Sequence, residues 1–449
     1  MTSALVIGGG LAGTTAALAL ADRGHSVTLA EARPRLGGLA FSFSRDSAAG
    51  SLTVDNGQHV YLRCCTAYQG FLRRVGGAAL APVQRRMDVP VLHAGTRRVG
   101  RLRRTAAPVP LHLTAGLARY PHLTLAERAS VGRAALALRR LDPADPALDA
   151  ESFGHWLERH GQNRATIDAL WDLVGVATLN ARADDVSLAL AAKVFRTGLL
   201  TTPGAADIGL PEVPLGHLHD TLAAAALERA GVRTLLATKA RALHPGPEGR
   251  GWRADLTGRD DTPHPLDADV VVLAVPQREA HGLLPPGALP DPGRLLDLAD
   301  APILNLHVVY DRRVLRAPFF AALGSPVQWV FDRTAPSGLT GGGQYLALSQ
   351  SAAGAEIDLP AKVLRKRYLP ELERLLPAAA HARVRDFFVT RERTATFAPA
   401  PGTARLRPAA ATGARGLFLA GAWTATGWPA TMEGAVRSGL AAARAAAAV

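Results

Sequence analysis

Gly8, Gly10 and Gly13 stand in the spacing G-x-G-x-x-G, and the chemistry that spacing serves is binding of a pyrophosphate. Gly8 permits a tight turn, Gly10 lets the backbone approach the phosphates, and Gly13 allows close helix–strand packing. Leu11 and Ala12 carry the chain between them at the start of an apolar-periodic helix. Its free N–H groups and partial positive charge suit an anion. The motif sits in its required context. Residues 3–7 read as a buried strand before it, Gly24 stops the helix, and residues 26–30 read as the next strand. Glu31 ends that strand, about 20 residues past the motif, where an acid can accept both ribose hydroxyls of an adenosine. Ala32 follows, and a second glycine pair, Gly37 and Gly38, comes soon after with Leu39 behind it.

The far end of the chain carries a second strand–loop–helix. Residues 416–421 form a short apolar strand ending in Gly421. Ala422 and Trp423 open a loop that passes Trp428 and reaches Thr431, Met432 and Glu433 at the head of an Ala-rich helix. Backbone N–H groups near Met432 and Glu433 would there stabilise charge on an electron-rich ligand. A plain terminal βα unit is the alternative.

Both ends need one sheet to position them, and residues 231–236 and 269–275 read as two more of its buried strands. The fold class expected is α/β. A discontinuous Rossmann-type cofactor domain would be built from about 1–85, 210–285 and 395–449, with an inserted α+β substrate domain from 86–209 and 286–394. A chain of 449 residues can bury such a core. Its 48% hydrophobic and 20% charged residues suit a soluble protein. No apolar run reaches the roughly 18 residues of a spanning helix, and no basic leader opens the chain, so neither anchor nor signal peptide is expected. Cys64 and Cys65 are adjacent, which suits two reduced thiols of a cytosolic protein better than a disulfide or a zinc site. No metal site is expected. The net charge of +13 is almost all arginine. With the heavy use of Ala and Pro it reads as a composition bias, and no nucleic-acid partner is expected.

Longer stretches bear a family resemblance. Gly37-Gly38 after Glu31 resembles the arrangement in flavin amine oxidases and carotenoid desaturases, where it passes the pyrophosphate and ribityl chain of FAD. Residues 55–60 (DNGQHV), 175–180 (GVATLN), 388–393 (FVTRER) with 395–399 (ATFAP), and 426–439 (TGWPATMEGAVRSG) together resemble the hydroxysqualene dehydroxylase group. That group is the squalene-associated, FAD-dependent branch of the carotenoid desaturases. The resemblance runs essentially end to end and is most specific in the last stretch. It implies an amine oxidase/phytoene desaturase-like fold with FAD as cofactor. It also implies reductive removal of the hydroxyl of hydroxysqualene, giving squalene for hopanoid or related triterpene synthesis. Gly8, Gly10, Gly13, Glu31 and Gly38 carry over as cofactor contacts. Gly57 and Gln58 map to the loop before the flavin ring, and Gly421, Met432 and Glu433 to the C-terminal motif. Leu11, Ala12, Ala32, Gly37, Leu39, Ala422 and Thr431 belong to the same runs.

Two positions depart from the pattern. Relatives carry Gly-Asp-Trp-Thr-Asp where this chain has Gly421-Ala-Trp-Thr-Ala425, and many carry Arg at the position of Leu39. A hydrogen bond to a charged group contributes about 1.5–3 kcal/mol, or roughly ten- to a hundredfold in affinity. Weak FAD retention is therefore expected.

The implied reaction sets further demands. An allylic alcohol that loses its hydroxyl leaves a carbocation, so a general acid is needed, and His59 is the expected one. Glu392 and Tyr61 are further candidates. Trp423, Trp428 and Phe397 could offer aromatic faces worth about 0.5–2 kcal/mol each to a cation. A C30 isoprenoid substrate starts in a bilayer, so an anionic membrane surface is an expected partner. The docking segment expected is Arg97, Arg98, Arg101, Arg103 and Arg104 with the apolar, helical-looking stretch 108–141. That places the protein in the cytoplasm, peripherally on the inner face of the cell membrane. No second nucleotide motif is visible, so the electron donor would be a separate reductase or carrier. The rivals are a carotenoid or isoprenoid desaturase, an amine oxidase, and a non-redox isomerase or prenyl-binding escort. No lysine lies between Lys239 and Lys362, which counts against the amine oxidase.

Overall fold

The computed structural model describes residues 2–246 and 249–448. Its nucleus is a five-stranded parallel sheet in the order Leu417–Leu419, Val270–Leu273, Ser3–Ile7, Ser26–Ala30, Arg233–Leu235. The three central strands are apolar along most of their length, as parallel strands covered on both faces must be. Helix Leu11–Ala21 is buried from Leu11 to Leu20. It lies against helix Met432–Ala446 so closely that a Cβ on Gly439 would stand 2.2 Å from the Ala12 carbonyl oxygen. Strands Lys239–Pro245, Trp252–Thr257 and Pro263–Ala268 form a separate antiparallel meander.

A seven-stranded sheet makes the second layer, in the order Val384–Phe397, Asp300–Tyr310, Gln344–Gln350, Trp329–Asp332, Phe319–Leu323, Asp88–His93, Val99–Arg103. Its pairings are antiparallel except where Phe319–Leu323 meets Asp88–His93. Helices Leu125–Arg140, Phe153–Arg159, Asp172–Leu179 and Leu188–Phe195 cover the rest of this half. Phe153, Phe195 and Trp171, the residue before Asp172, join the last three of these helices through ring centroids 5.2–5.8 Å apart. Fold class is thus mixed α/β.

Stretch 108–141 is not one helix. It breaks into a 3-10 turn at Leu111–Leu113, a short helix Thr114–Ala118, and helix Leu125–Arg140. The reason is local. Pro121 lies in the break, and Thr124 with Glu127 forms a capping box that starts the second helix afresh. The arginine cluster is also less free than its sequence suggests. Arg101 and Arg103 pair with Asp88, and Arg104 pairs with buried Asp207 at 2.6 Å. Among the described residues only Arg97 and Arg98 of the five make no ion pair.

Candidate active site

The parallel strands bring their C-terminal ends to one edge, where the chain turns at Gly8, Glu31, Ala274 and Ala420. That edge is the ligand-binding side of such a sheet. Gly8 has φ +110°, and a Cβ there would lie 2.4 Å from the Ala274 carbonyl oxygen. A Cβ on Gly13 would lie 1.8 Å from the Gly8 carbonyl oxygen. Only hydrogen fits at either. The second glycine pair closes on the first: Gly37 N–H donates to Gly9 O at 2.9 Å, and a Cβ on Gly38 would be 2.9 Å from Gly10 Cα. Gly10 caps helix Leu11–Ala21 without a side-chain hydrogen bond, so the first-turn N–H groups, Leu11 and Ala12 among them, stay open to an anion.

Glu31 is buried and accepts the N–H of Gly9 at 2.5 Å and of Arg33 at 2.7 Å. It braces the glycine turn, and a ribose contact would use its remaining lone pairs. Ala32 and Leu39 are exposed. Arg35, which the sequence did not single out, donates to the carbonyls of Leu36 and Gly38 and lies 3.5 Å over the Phe41 ring. It fixes the second glycine pair.

The turn from Asn56 to His59 is held from several directions. Asp55 forms a buried ion pair with Arg333 at 2.9 Å. The Asn56 side chain donates to Leu39 O and to Glu392 Oε1 and accepts from Phe41 N–H. Its carbonyl accepts from Thr390 Oγ1 and Asn305 Nδ2. Two buried polar atoms flank Gly57 with no partner: Gln58 Nε2, a donor, and Asn305 Oδ1, an acceptor. Asn305 and His307 are the polar buried residues of strand Asp300–Tyr310, which carries no lysine.

His59 is half-buried, and its Nδ1 donates to Gly57 O at 3.0 Å. A carbonyl can only accept, so Nδ1 carries the proton and Nε2 the lone pair in the neutral ring. Burial pushes its pKa below the ordinary value. This ring suits a hydrogen-bond acceptor rather than the acid expected from sequence. Tyr61 is no acid either: its hydroxyl donates to Ala81 O inside the core. Glu392 is engaged by Asn56. Buried His219 donates from Nδ1 to Ala40 O and accepts the Tyr68 hydroxyl at Nε2, and burial drives its pKa down to about 4.

At the C-terminal end, Gly421 N–H donates to Ser438 Oγ, and Thr431 caps helix Met432–Ala446 through Gly434 N–H. The N–H groups of Met432 and Glu433 are left without a side-chain cap. The Glu433 carboxylate turns away and caps another helix, Thr66–Val75, by accepting the N–H groups of Ala67 and Tyr68. Arg407 is a second residue unseen in the sequence. It is buried, meets no carboxylate at ion-pair distance among the described residues, and donates to Ala422 O at 3.2 Å, to Trp428 O at 2.8 Å, and to the carbonyls of Trp423 and Thr424. Desolvation lowers its pKa to about 10. One guanidinium therefore shapes the whole loop that holds Ala422.

The three expected aromatic faces differ from expectation. Trp423 is a core residue whose Nε1 donates to Val275 O. Phe397 already carries Arg407 at 4.6 Å, and Trp428 carries Lys193 Nζ at 5.0 Å and Arg437 at 4.9 Å. Side-chain cations of the chain itself meet two of these rings. A cleft of about 280 Å³, lined by Leu173, Val176, Val327 and Trp329, lies in the other half and touches none of the glycine motifs.

The site fits FAD. The touching glycine loops and the uncapped helix start provide a cradle for a pyrophosphate, and the unpartnered Gln58 and Asn305 atoms fit the mixed donors and acceptors of a flavin edge. The family described as "Flavin containing amine oxidoreductase" matches residues 11–447. The hydroxysqualene dehydroxylase of Rhodopseudomonas palustris is 30% identical over 97% of this chain and 96% of its own length. That of Sinorhizobium fredii is 29% identical over 97% and 95%. Among solved structures, cyclohexylamine oxidase from Brevibacterium oxydans shares the fold with TM-score 0.72 at 20% identity, covering 100% of this chain and 99% of that one. The chain belongs to the flavin containing amine oxidoreductase family, on its hydroxysqualene dehydroxylase branch, and is an FAD-dependent oxidoreductase.

Proposed function

We propose that the chain reduces hydroxysqualene to squalene, serving hopanoid or related triterpene synthesis. The observation that carries this reading is the likeness to hydroxysqualene dehydroxylases over 97% of the chain. When bound and reduced, FAD supplies hydride. The chain's own residues do the rest. The glycine loops and helix Leu11–Ala21 bind the pyrophosphate, and Glu31 holds the ribose side. Gln58, Asn305 and the N–H groups at Met432 and Glu433 orient the flavin ring and stabilise negative charge on it. An acid must still reach the leaving oxygen.

Delivery of a C30 substrate is ascribed to the segment 97–136. Val99, Leu111, Leu125 and Leu136 are 62%, 56%, 78% and 47% exposed, half of the exposed large hydrophobics among the described residues. Helix Thr114–Ala118 packs on both strand Val99–Arg103 and helix Leu125–Arg140, so these side chains belong to one packed region. With Arg97 and Arg98, which make no ion pair among the described residues, nearby in the chain, they suit a surface that rests on anionic lipid at the inner face of the cell membrane. No helix among the described residues is long and apolar enough to cross a membrane. A separate electron donor completes the cycle.

The test is an anaerobic single turnover. FAD-loaded protein reduced with dithionite is mixed with detergent-solubilised hydroxysqualene, and products are read by mass spectrometry. Squalene formed in step with flavin reoxidation is the expected result. Intact reduced flavin with no squalene overturns the reading, and the oxidised enzyme is then tried on carotenoid precursors.

A further inference from the structure

Lys193 occupies an unusual place for a lysine. It sits on helix Leu188–Phe195 in the half of the molecule away from the glycine loops, half-buried, with Nζ 5.0 Å from the centre of the Trp428 ring. Trp428 in turn lies against the first turn of helix Met432–Ala446, where a Cβ on Gly434 would be 3.7 Å from Trp428 Cβ. Among the described residues Lys193 makes no ion pair and no side-chain hydrogen bond. The groups facing it are Arg437 and Glu433 from the terminal helix, Cys64 from the segment before helix Thr66–Val75, and Arg196 from its own next turn. The two arginines have partners: Arg437 pairs with Glu433 at 2.7 Å, and Arg196 donates to Leu141 O. Of the cations gathered there, Lys193 is the one that has neither a carboxylate nor a carbonyl bonded to it among the described residues.

Holding an ammonium half out of water without a carboxylate costs free energy that the fold could avoid with an apolar residue. An ammonium with free donors, next to the loop that leads to the flavin-directed helix start, has a use. We propose that Lys193 is the general acid that protonates the leaving hydroxyl of the substrate. This rests on the dehydroxylase reading above. The allylic hydroxyl oxygen takes a proton from Nζ, and the C–O bond breaks with both electrons passing to oxygen. Water leaves, the allylic carbon takes the hydride supplied by the reduced flavin, and solvent reprotonates the amine. Desolvation and, after it, the neighbouring Arg437 lower the amine's pKa from its ordinary value, which makes the proton easier to give.

The experiment uses FAD-loaded, dithionite-reduced protein in single turnover with hydroxysqualene, for wild type, Lys193→Met and Lys193→Arg. Both variants should lose about a hundredfold or more in rate, the usual worth of a general acid, with the FAD dissociation constant and visible spectrum unchanged. The wild-type rate should fall as pH rises through the titration of the amine, and both variants should lack that limb. A Lys193→Arg rate close to wild type would mean that only charge matters there and would overturn the assignment, as would Lys193→Met within threefold. Squalene made by wild type and variants alike removes Lys193 alone, whereas no squalene from wild type removes the reading and Lys193 with it. A second measurement needs no variant: competitive acetylation of the four lysines, read peptide by peptide. Lys193 should become reactive at lower pH than Lys239, Lys362 and Lys366 and be shielded by hydroxysqualene. Labelling like the other three, without shielding, would overturn the proposal.

Discussion

The two ends of this site are built by different means. At the nucleotide end the contacts are backbone: glycine loops that touch, an uncapped helix start, and a carboxylate holding two N–H groups. Around the loop from 422 to 428 they are side chains drawn from distant segments, such as Lys193 against Trp428 and Arg407 on the loop carbonyls. A backbone site tolerates no added atom, and a side-chain site tolerates no lost charge or partner. The two should therefore fail differently when perturbed.

The sharpest break is Gly13→Val, whose Cβ would meet the Gly8 carbonyl oxygen at 1.8 Å. The purified variant should contain no FAD by its visible absorbance; a flavin-replete variant would show that the loop can move aside. Next comes the support of the turn at 56–59. Arg333→Met leaves Asp55 buried without its partner, which should cost about 3–5 kcal/mol of unfolding free energy in urea. A loss under about 1 kcal/mol would mean that the turn does not depend on the pair.

Acidification probes the same neighbourhood. His219 is buried neutral with its pKa at about 4, below the unfolded value near 6.5. The unfolded chain thus takes up a proton first. Stability should be full above about pH 6.5 and fall by about 3 kcal/mol as pH drops toward 4, then level for this group. His219→Asn should flatten that part of the urea-midpoint profile. The smallest effect is expected at the departure from the family pattern. Ala422→Asp should tighten FAD by about ten- to a hundredfold in a titration, worth about 1.5–3 kcal/mol. An unchanged dissociation constant would mean that Arg407, already bonded to the Ala422 carbonyl, leaves no place for the acid's contact.

The same contrast decides how much could be read from sequence. Strands 3–7 and 26–30 and the glycine spacing were visible because a parallel strand and a phosphate loop each write their demand into consecutive residues. Asp55 and Arg333 were not, because they meet from opposite parts of the chain and nothing local marks either as a partner. Arg407 and Asn305 were missed for the same reason. Tyr61 and Trp423 were overrated because residue type suggests chemistry, whereas each spends its polar atom on a backbone carbonyl in the core. Stretch 108–141 looked helical from its apolar content, but its division at Pro121 and the Thr124–Glu127 capping box went unread.

Helix Met432–Ala446 lies on helix Leu11–Ala21, and Glu433 caps the helix that begins at Thr66. On the ribosome these partners are made far apart in time. The side of Leu11–Ala21 that meets helix Met432–Ala446 emerges early and stays uncovered until that helix has left the exit tunnel, whereas its other sides pack on the parallel sheet and on helix Leu222–Arg229. A chain without that helix therefore leaves this side exposed and lacks the N–H groups of Met432 and Glu433. Completion of the flavin site thus waits on residues 432–446, and the docking of that helix on Leu11–Ala21 is a late step of folding.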